Sequence, residues 1–280
     1  FIPISSYLVN IRDQEPLRRA LLDFKPDVIF HAAALKHVPM QEMNPWEAVL
    51  TNVQGTRNLI SAAREIAPER FVLVSSDKAV RPSSVMGATK RVAEMLVECA
   101  GDGADSRFVS VRFGNVLGSS GSVIPLFMEQ IKNRLPITVT HPDITRYFMS
   151  VSEAAQLILQ AGAMGEGGEV FVLDMGKPVR IADMARDLIR LNGFEPDKDV
   201  SIRFIGLRPG EKLHEELITE GEGVVSTQHD KIRVIRGRHC DFTSVNGHVD
   251  DLIKAARTFD IRLIKQKLKE IVPEYMPSEN

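Results

Sequence analysis

Asp77 and Lys78 stand side by side in Ser75-Ser76-Asp77-Lys78-Ala79, directly after an apolar run. An acid and an amine placed there could exchange protons with one ligand. Lys90 follows Met86 by four residues in Met86-Gly87-Ala88-Thr89-Lys90, so a helix would put both on one face. In His31-Ala32-Ala33-Ala34-Leu35-Lys36, three small residues let a ligand approach the backbone closely. The stretch Arg112 to Ser122 carries Gly114, Gly118, Gly121 and Ser119, Ser120, Ser122, a donor-rich loop suited to phosphate or sugar hydroxyls. Arg208-Pro209-Gly210-Glu211-Lys212 reads as a turn. Its arginine offers a forked donor to phosphate, and its glutamate an acceptor for a ribose diol. Each segment alone has an ordinary alternative: a solvated turn pair, a surface lysine, a tight or mobile loop, or a turn opening a helix over 214–218.

The elements that must position these residues alternate. Apolar runs over 7–11, 27–31, 70–75 and 108–113 predict strands. Spacing near 3.6 predicts helices over 15–24, 45–66 and 83–99, and Pro45 can open the second of these. Buried strands between amphipathic helices predict a parallel sheet, doubly wound in the Rossmann manner. Beyond residue 114 the rhythm is irregular. Helices are expected over 124–133, 151–164 and 181–191, and strands over 169–173, 200–204 and 231–235. Two charged helices, 249–258 and 262–271, are expected to close the chain with a solvated face. The domain reading is a dinucleotide-binding unit over 1–135, and a smaller mixed α/β unit for the substrate over 136–280, interleaved with the sheet near 145–175. In an open parallel sheet the ligand site lies at the carboxyl ends of the strands, where the first three polar segments fall.

Composition narrows the class. With 35 Lys plus Arg against 37 Asp plus Glu, a nucleic acid or an anionic membrane surface is excluded as the main partner. A content of 44% hydrophobic and 26% charged residues is that of a globular chain. Cys99 and Cys240 are too few for a disulfide framework or a four-ligand zinc site, which makes a reducing compartment the default. His31 and His37 lack a third ligand, so no metal is expected. No apolar run nears the roughly 20 residues that span a bilayer.

Together the segments resemble the extended short-chain dehydrogenase/reductases, and within them the nucleotide-sugar 4,6-dehydratases of polysaccharide biosynthesis. The resemblance rests on FHAAALKHVPMQE at 30–42, NVQGT at 52–56 and SSDKAVRPSSVMGATKR at 75–91. It continues through RFGNVLGSSGSVIP at 112–125, ITRYFMS at 144–150 and LRPGEKLHEEL at 207–217. Two features depart from the pattern. The Tyr of Tyr-x-x-x-Lys is Met86, as in a membrane-anchored branch, and a thioether is no proton carrier. The glycine-rich GxGxxG segment does not precede residue 30, and residue 1 is Phe. The expectation is a chain entered partway through a longer polypeptide, lacking about one βαβ unit of 30 or more residues and an anchor.

The resemblance implies a UDP-N-acetylglucosamine 4,6-dehydratase using NAD or NADP. Hydride passes from sugar C4 to the cofactor, water leaves across C5–C6, and hydride returns at C6. Lys78 is implied as the base at C5, with its pKa lowered by burial or by Lys90. Asp77 is implied as the acid at the C6 oxygen and Ser76 as the hydrogen-bond partner of the C4 oxygen. Lys90 would hold the nicotinamide ribose, with Met86 beside it. Asn10, Ile11, Ala32, Ala33, Ala34, Lys36, Asn52 and Ser75 would line the dinucleotide. Asn115, Thr138, Thr140, Arg146, Arg208 and Glu211 would hold the UDP-sugar. Retention at C5, a homo-oligomer, and a cytoplasmic location, with the parent protein anchored to the inner membrane and this domain facing the cytoplasm, are also implied. The alternatives are a nucleotide-sugar 4-epimerase, which needs a Tyr at 86, and a catalytically silent binding module.

Overall fold

The computed structural model describes residues 2–101, 105–219, 222–236 and 242–277. Six strands form one sheet in the order Val28–His31, Arg70–Val74, Arg107–Arg112, Val170–Leu173, Ile232–Ile235, Val224–Ser226. The first four pair in parallel. The last two pair antiparallel, because only a short turn joins them, and a short turn cannot make a parallel crossover. The doubly wound α/β expectation therefore holds, with an antiparallel edge.

Residues 45–66 form one continuous helical run, as Pro45 predicts: Pro45–Ala48, a π-helical turn Val49–Gln54, then Gly55–Ile66. The strand expected over 7–11 does not form. Asn58 Nδ2 donates to the Ile11 and Arg12 carbonyls, and Gln54 Nε2 donates to Arg12 as well. Those carbonyls are thus bound to side chains of the long helix, not to a neighbouring strand. The helix expected over 214–218 is also absent, since its carbonyls are used outward. Thr145 N–H donates to Leu213 O, and Arg112 Nη1 to Leu217 O.

One apolar core joins Leu17, Val49, Ile60, Phe71, Leu96 and Phe108 to Leu252, Ala256, Leu268 and Tyr275. The closing helices, Phe242–Arg257 and Ile261–Ile271, therefore bury one face on the helices 45–66 and Val85–Gly101. This corrects the solvated reading. Their charges line one side while Val249, Leu252, Ile253 and Ala256 recur at helical spacing on the other. A second core lies across the sheet around Val109, Met149, Leu157 and Phe171. A third joins Phe127, Ile137, Ile144, Ile181 and Ile189 within the later part of the chain. Among the described residues no helix is long and apolar enough to cross a membrane.

Candidate active site

The strand Arg70–Val74 delivers its polar tail to a fixed place. Ser75 N–H donates to Val111 O at 2.8 Å and Asp77 N–H to Phe113 O at 2.9 Å, so the sheet ladder carries on beyond the strand. A single 3-10 turn, Asp77–Ala79, follows, and Ser76 Oγ accepts the Lys78 N–H. The helix Val85–Gly101 starts beside it, where Ser84 Oγ caps Gly87 N–H. Glu42 Oε1 accepts the Val85 N–H at 2.6 Å, which places an acid at the positive end of that helix. A side chain at Gly87 would collide with the Lys78 carbonyl oxygen, so helix and turn meet backbone to backbone.

Lys78 Nζ donates to Asp77 Oδ1 at 2.9 Å and to Asn115 Oδ1 at 3.1 Å, and lies 3.7 Å from Glu215 Oε1. Asp77 Oδ1 also accepts from Ser76 Oγ at 3.0 Å. Burial pushes the Lys78 ammonium down, but Asp77 and Glu215 more than offset it, so its pKa stands above the ordinary lysine value. The expected lowering is thus corrected, and the opposing cation is Arg146 rather than Lys90. Arg146 Nη2 donates to Glu211 Oε1 at 3.2 Å, its Nη1 to Thr145 O at 2.7 Å, and its Nε lies 3.9 Å from Glu215 Oε1. Asp77 Oδ2 and Glu215 Oε2 are both buried without a hydrogen-bond partner. Ser76, Asp77, Lys78, Asn115, Arg146 and Glu211 therefore converge, joined by Glu215.

Lys90 is buried, and its Nζ donates to Val74 O at 2.6 Å. Burial pulls its pKa down to about 8 against the pull of Glu94 in the other direction. Met86 is buried one turn earlier. Ala32, Ala33 and Lys36 are exposed at the end of the Val28–His31 strand, and Ala34 is half-buried. The small-residue loop thus offers an open backbone next to a buried, polarising lysine. That fits the nicotinamide-ribose end of a dinucleotide.

Other expected contacts are directed elsewhere. Asn52 is buried, accepts Leu35 N–H at 2.8 Å, and donates to Leu35 O and Thr89 Oγ1, so it pins the small-residue loop from below. Ser75 Oγ donates to Glu94 Oε1 at 2.6 Å. Asn10 Oδ1 accepts the Arg12 N–H, and Ile11 packs against Gly55. Thr138, on the Ile137–Val139 strand, accepts through Oγ1 from Gln130 Nε2 of the Val123–Lys132 helix, with Thr140 just after the strand. Arg208 is exposed, and its N–H donates to Glu211 Oε2.

Sequence reasoning missed three buried acids. Glu94 binds Arg112 through Nη2 at 2.8 Å, and although burial raises its pKa, Arg112 and Arg91 hold it down at about 2. Glu42 links Val85 N–H to Lys265 Nζ at 2.8 Å. Glu215 lies in the same motif as Glu211, and the closeness of two acids to one expected ligand was the only signal for it.

A doubly wound sheet with polar groups gathered at its strand ends defines a Rossmann-like α/β protein of the extended short-chain dehydrogenase/reductase type. The family described as "Polysaccharide biosynthesis protein" matches residues 2–237, and the chain belongs to it. It is 50% identical over 256 residues to the capsular polysaccharide biosynthesis protein CapD of Staphylococcus aureus, covering 90% of this chain and 42% of that protein. It is 35% identical over 240 residues to the UDP-N-acetylglucosamine 4,6-dehydratase (inverting) of Campylobacter jejuni, covering 83% of this chain and 68% of that one. The solved structure of Pen from Bacillus thuringiensis superposes with a TM-score of 0.76 at 37% identity, covering 84% of this chain and 73% of that chain. The chain thus spans about two fifths of the length of CapD.

Proposed function

We propose that this chain carries the acid–base site of a UDP-N-acetylglucosamine 4,6-dehydratase acting in polysaccharide biosynthesis. The observation that supports it most is the pair of buried Asp77 and half-buried Lys78, bonded at 2.9 Å and steadied by Asn115. A proton moving from Nζ to Oδ1 along that bond turns the ion pair into a neutral amine and a carboxylic acid. These are the two groups an elimination needs. The amine takes the C5 proton, the C5–C6 double bond forms as the C6–O bond breaks, and the acid gives its proton to the departing hydroxyl, which leaves as water. Ser76 donates to the C4 oxygen. NAD or NADP, when bound, supplies hydride acceptance at C4 and hydride donation at C6.

Ala32, Ala33, Ala34 and Lys36 lie along the dinucleotide, with Lys90 at the nicotinamide ribose. Asn52 and Ser75 act from beneath by holding the loop and the helix. Arg146 and Arg208 meet the diphosphate and Glu211 the ribose diol, with Thr138 and Thr140 on the same side. The C4 hydroxyl proton, which the Met86 thioether cannot accept, would pass to water when C4 is oxidised, and the Lys78 ammonium would return a proton to C5 when C6 is reduced; 4-epimerisation has no use for the Asp77–Lys78 pair. Retention at C5, a homo-oligomeric state, a cytoplasmic setting and the division near residue 135 belong to this reading.

The test is to incubate the full-length protein with UDP-N-acetylglucosamine and weigh the product. A 4-keto product lighter by one water is expected, and a product of unchanged mass points to an epimerase. Asp77→Asn and Lys78→Ala should each lose turnover by at least about a thousandfold while keeping sugar-nucleotide binding. Near-normal turnover in both overturns the assignment.

A further inference from the structure

Glu215 is a buried acid on a segment that has no regular structure. Its Oε1 lies 3.7 Å from Lys78 Nζ and 3.9 Å from Arg146 Nε, and its Oε2 is buried with no partner. The segment that carries it is bound tightly to the turn that carries the pair. Lys212 Nζ donates to Val80 O at 2.9 Å, and Ser83 Oγ to Gly210 O at 2.9 Å. Glu216 lies 3.7 Å from Arg81. An acid held this firmly against a lysine, with one oxygen left over, does more than fill space, because an unpartnered buried carboxylate oxygen is costly.

We propose that Glu215 is a positioning residue that sets which member of the Asp77–Lys78 pair holds the proton. The proposal rests on the reading of that pair as the acid and base. The groups facing Glu215 are Lys78 and Asp77 on the turn after Arg70–Val74, Arg146 on the Thr145–Arg146 strand, and Lys212 on its own segment, with Glu211 across Arg146. A charged Glu215 favours the ammonium and so the ion pair. Discharging it favours the neutral amine and the carboxylic acid, the reactive form. Burial and Asp77 push the Glu215 carboxyl up, toward its discharged form, against Lys78, Arg146 and Lys212.

The pair is active while it holds one proton, and loses it as pH rises through the Lys78 value. Removing the Glu215 charge lowers that value. In Glu215→Gln of the full-length protein, the alkaline limb of kcat should therefore move down by about one pH unit. KM for UDP-N-acetylglucosamine should stay within about threefold. Glu215→Asp, which keeps the charge, should hold the limb in place. A Glu215→Gln limb that superposes on wild type overturns the proposal.

A second readout needs no turnover. Lysines are reductively methylated with 13C-formaldehyde and titrated by NMR, with the Lys78 signal identified by its loss in Lys78→Arg. The signal should titrate about one unit lower in Glu215→Gln, and an unmoved titration overturns the proposal. If wild type turns over no sugar nucleotide, the functional reading fails while this titration still decides the role of Glu215. Glu215→Met, of similar volume and uncharged, repeats both measurements if the Gln variant does not fold.

Discussion

Lys90 sits almost out of reach of water, its Nζ donating to Val74 O and its pKa drawn by burial to about 8. Between that value and the ordinary 10.5 the unfolded chain binds a proton that the folded chain does not. Stability therefore rises with pH across that window, and the burial penalty is fully present below it. Lys90→Met should raise stability at neutral pH by on the order of 1–3 kcal/mol, read as a higher Tm. Turnover should fall at the same time. Glu94 contributes stability where Lys90 costs it, though stability rises with pH in both windows. With its pKa depressed from 4.5 to about 2, its contribution is present above pH 4.5 and is lost as pH falls through 2. Glu94→Gln leaves Arg112 buried without its main partner and should cost about 3–5 kcal/mol in urea unfolding at pH 7. It should also flatten the acid side of the stability profile. Asp77 and Lys78 were legible because polar residues ending an apolar strand mark a site in a parallel sheet. The direction of the Lys78 shift was not, since it depends first on the fold setting Asp77 Oδ1 against Nζ and then on Glu215, which only the folded chain brings near.

Helices 45–66, 151–164 and 181–191 were legible because period and boundary signals agree within each. The short Val38–Met43 helix and the Asp77–Ala79 turn were not, because too few residues take part to show a period. The loop 211–219 defeated prediction for another reason. Its helix-forming residues give their carbonyls to Arg112, Arg146 and the backbone of Thr145, and tertiary bonds outweigh propensity. Two glycines locate where elements touch. Gly87 brings its helix onto the Lys78 turn, so Gly87→Ala gains up to about 1 kcal/mol of helix propensity. It should lose more, about 1–3 kcal/mol, to overpacking. A lowered Tm together with reduced kcat is the expected result. Gly210 has φ +76° and would place a side chain against Ser84 and Glu42, so only glycine closes that turn without strain.

At the scale of the whole molecule, the four parallel strands and the face they offer were readable from near-continuous apolar runs. What was not readable was how the chain ends: two charged helices looked like a solvated coat. They and the turn after them supply a large part of the main core instead, with Leu252, Ile264, Leu268 and Tyr275 packed among Val49, Val85 and Leu96. Leu268→Ala should cost about 2–5 kcal/mol by chemical denaturation, which a surface helix would not show. This packing has a consequence in time. On the ribosome, the helices that carry Asn52, Met86 and Lys90 emerge long before the two that cover them. Until residues 242–277 are out their apolar flank stays bare, and the half that carries the candidate site cannot settle. Folding of this unit is therefore gated by residues 242–277, and the window before they arrive is when the nascent chain is most open to chaperones and to aggregation.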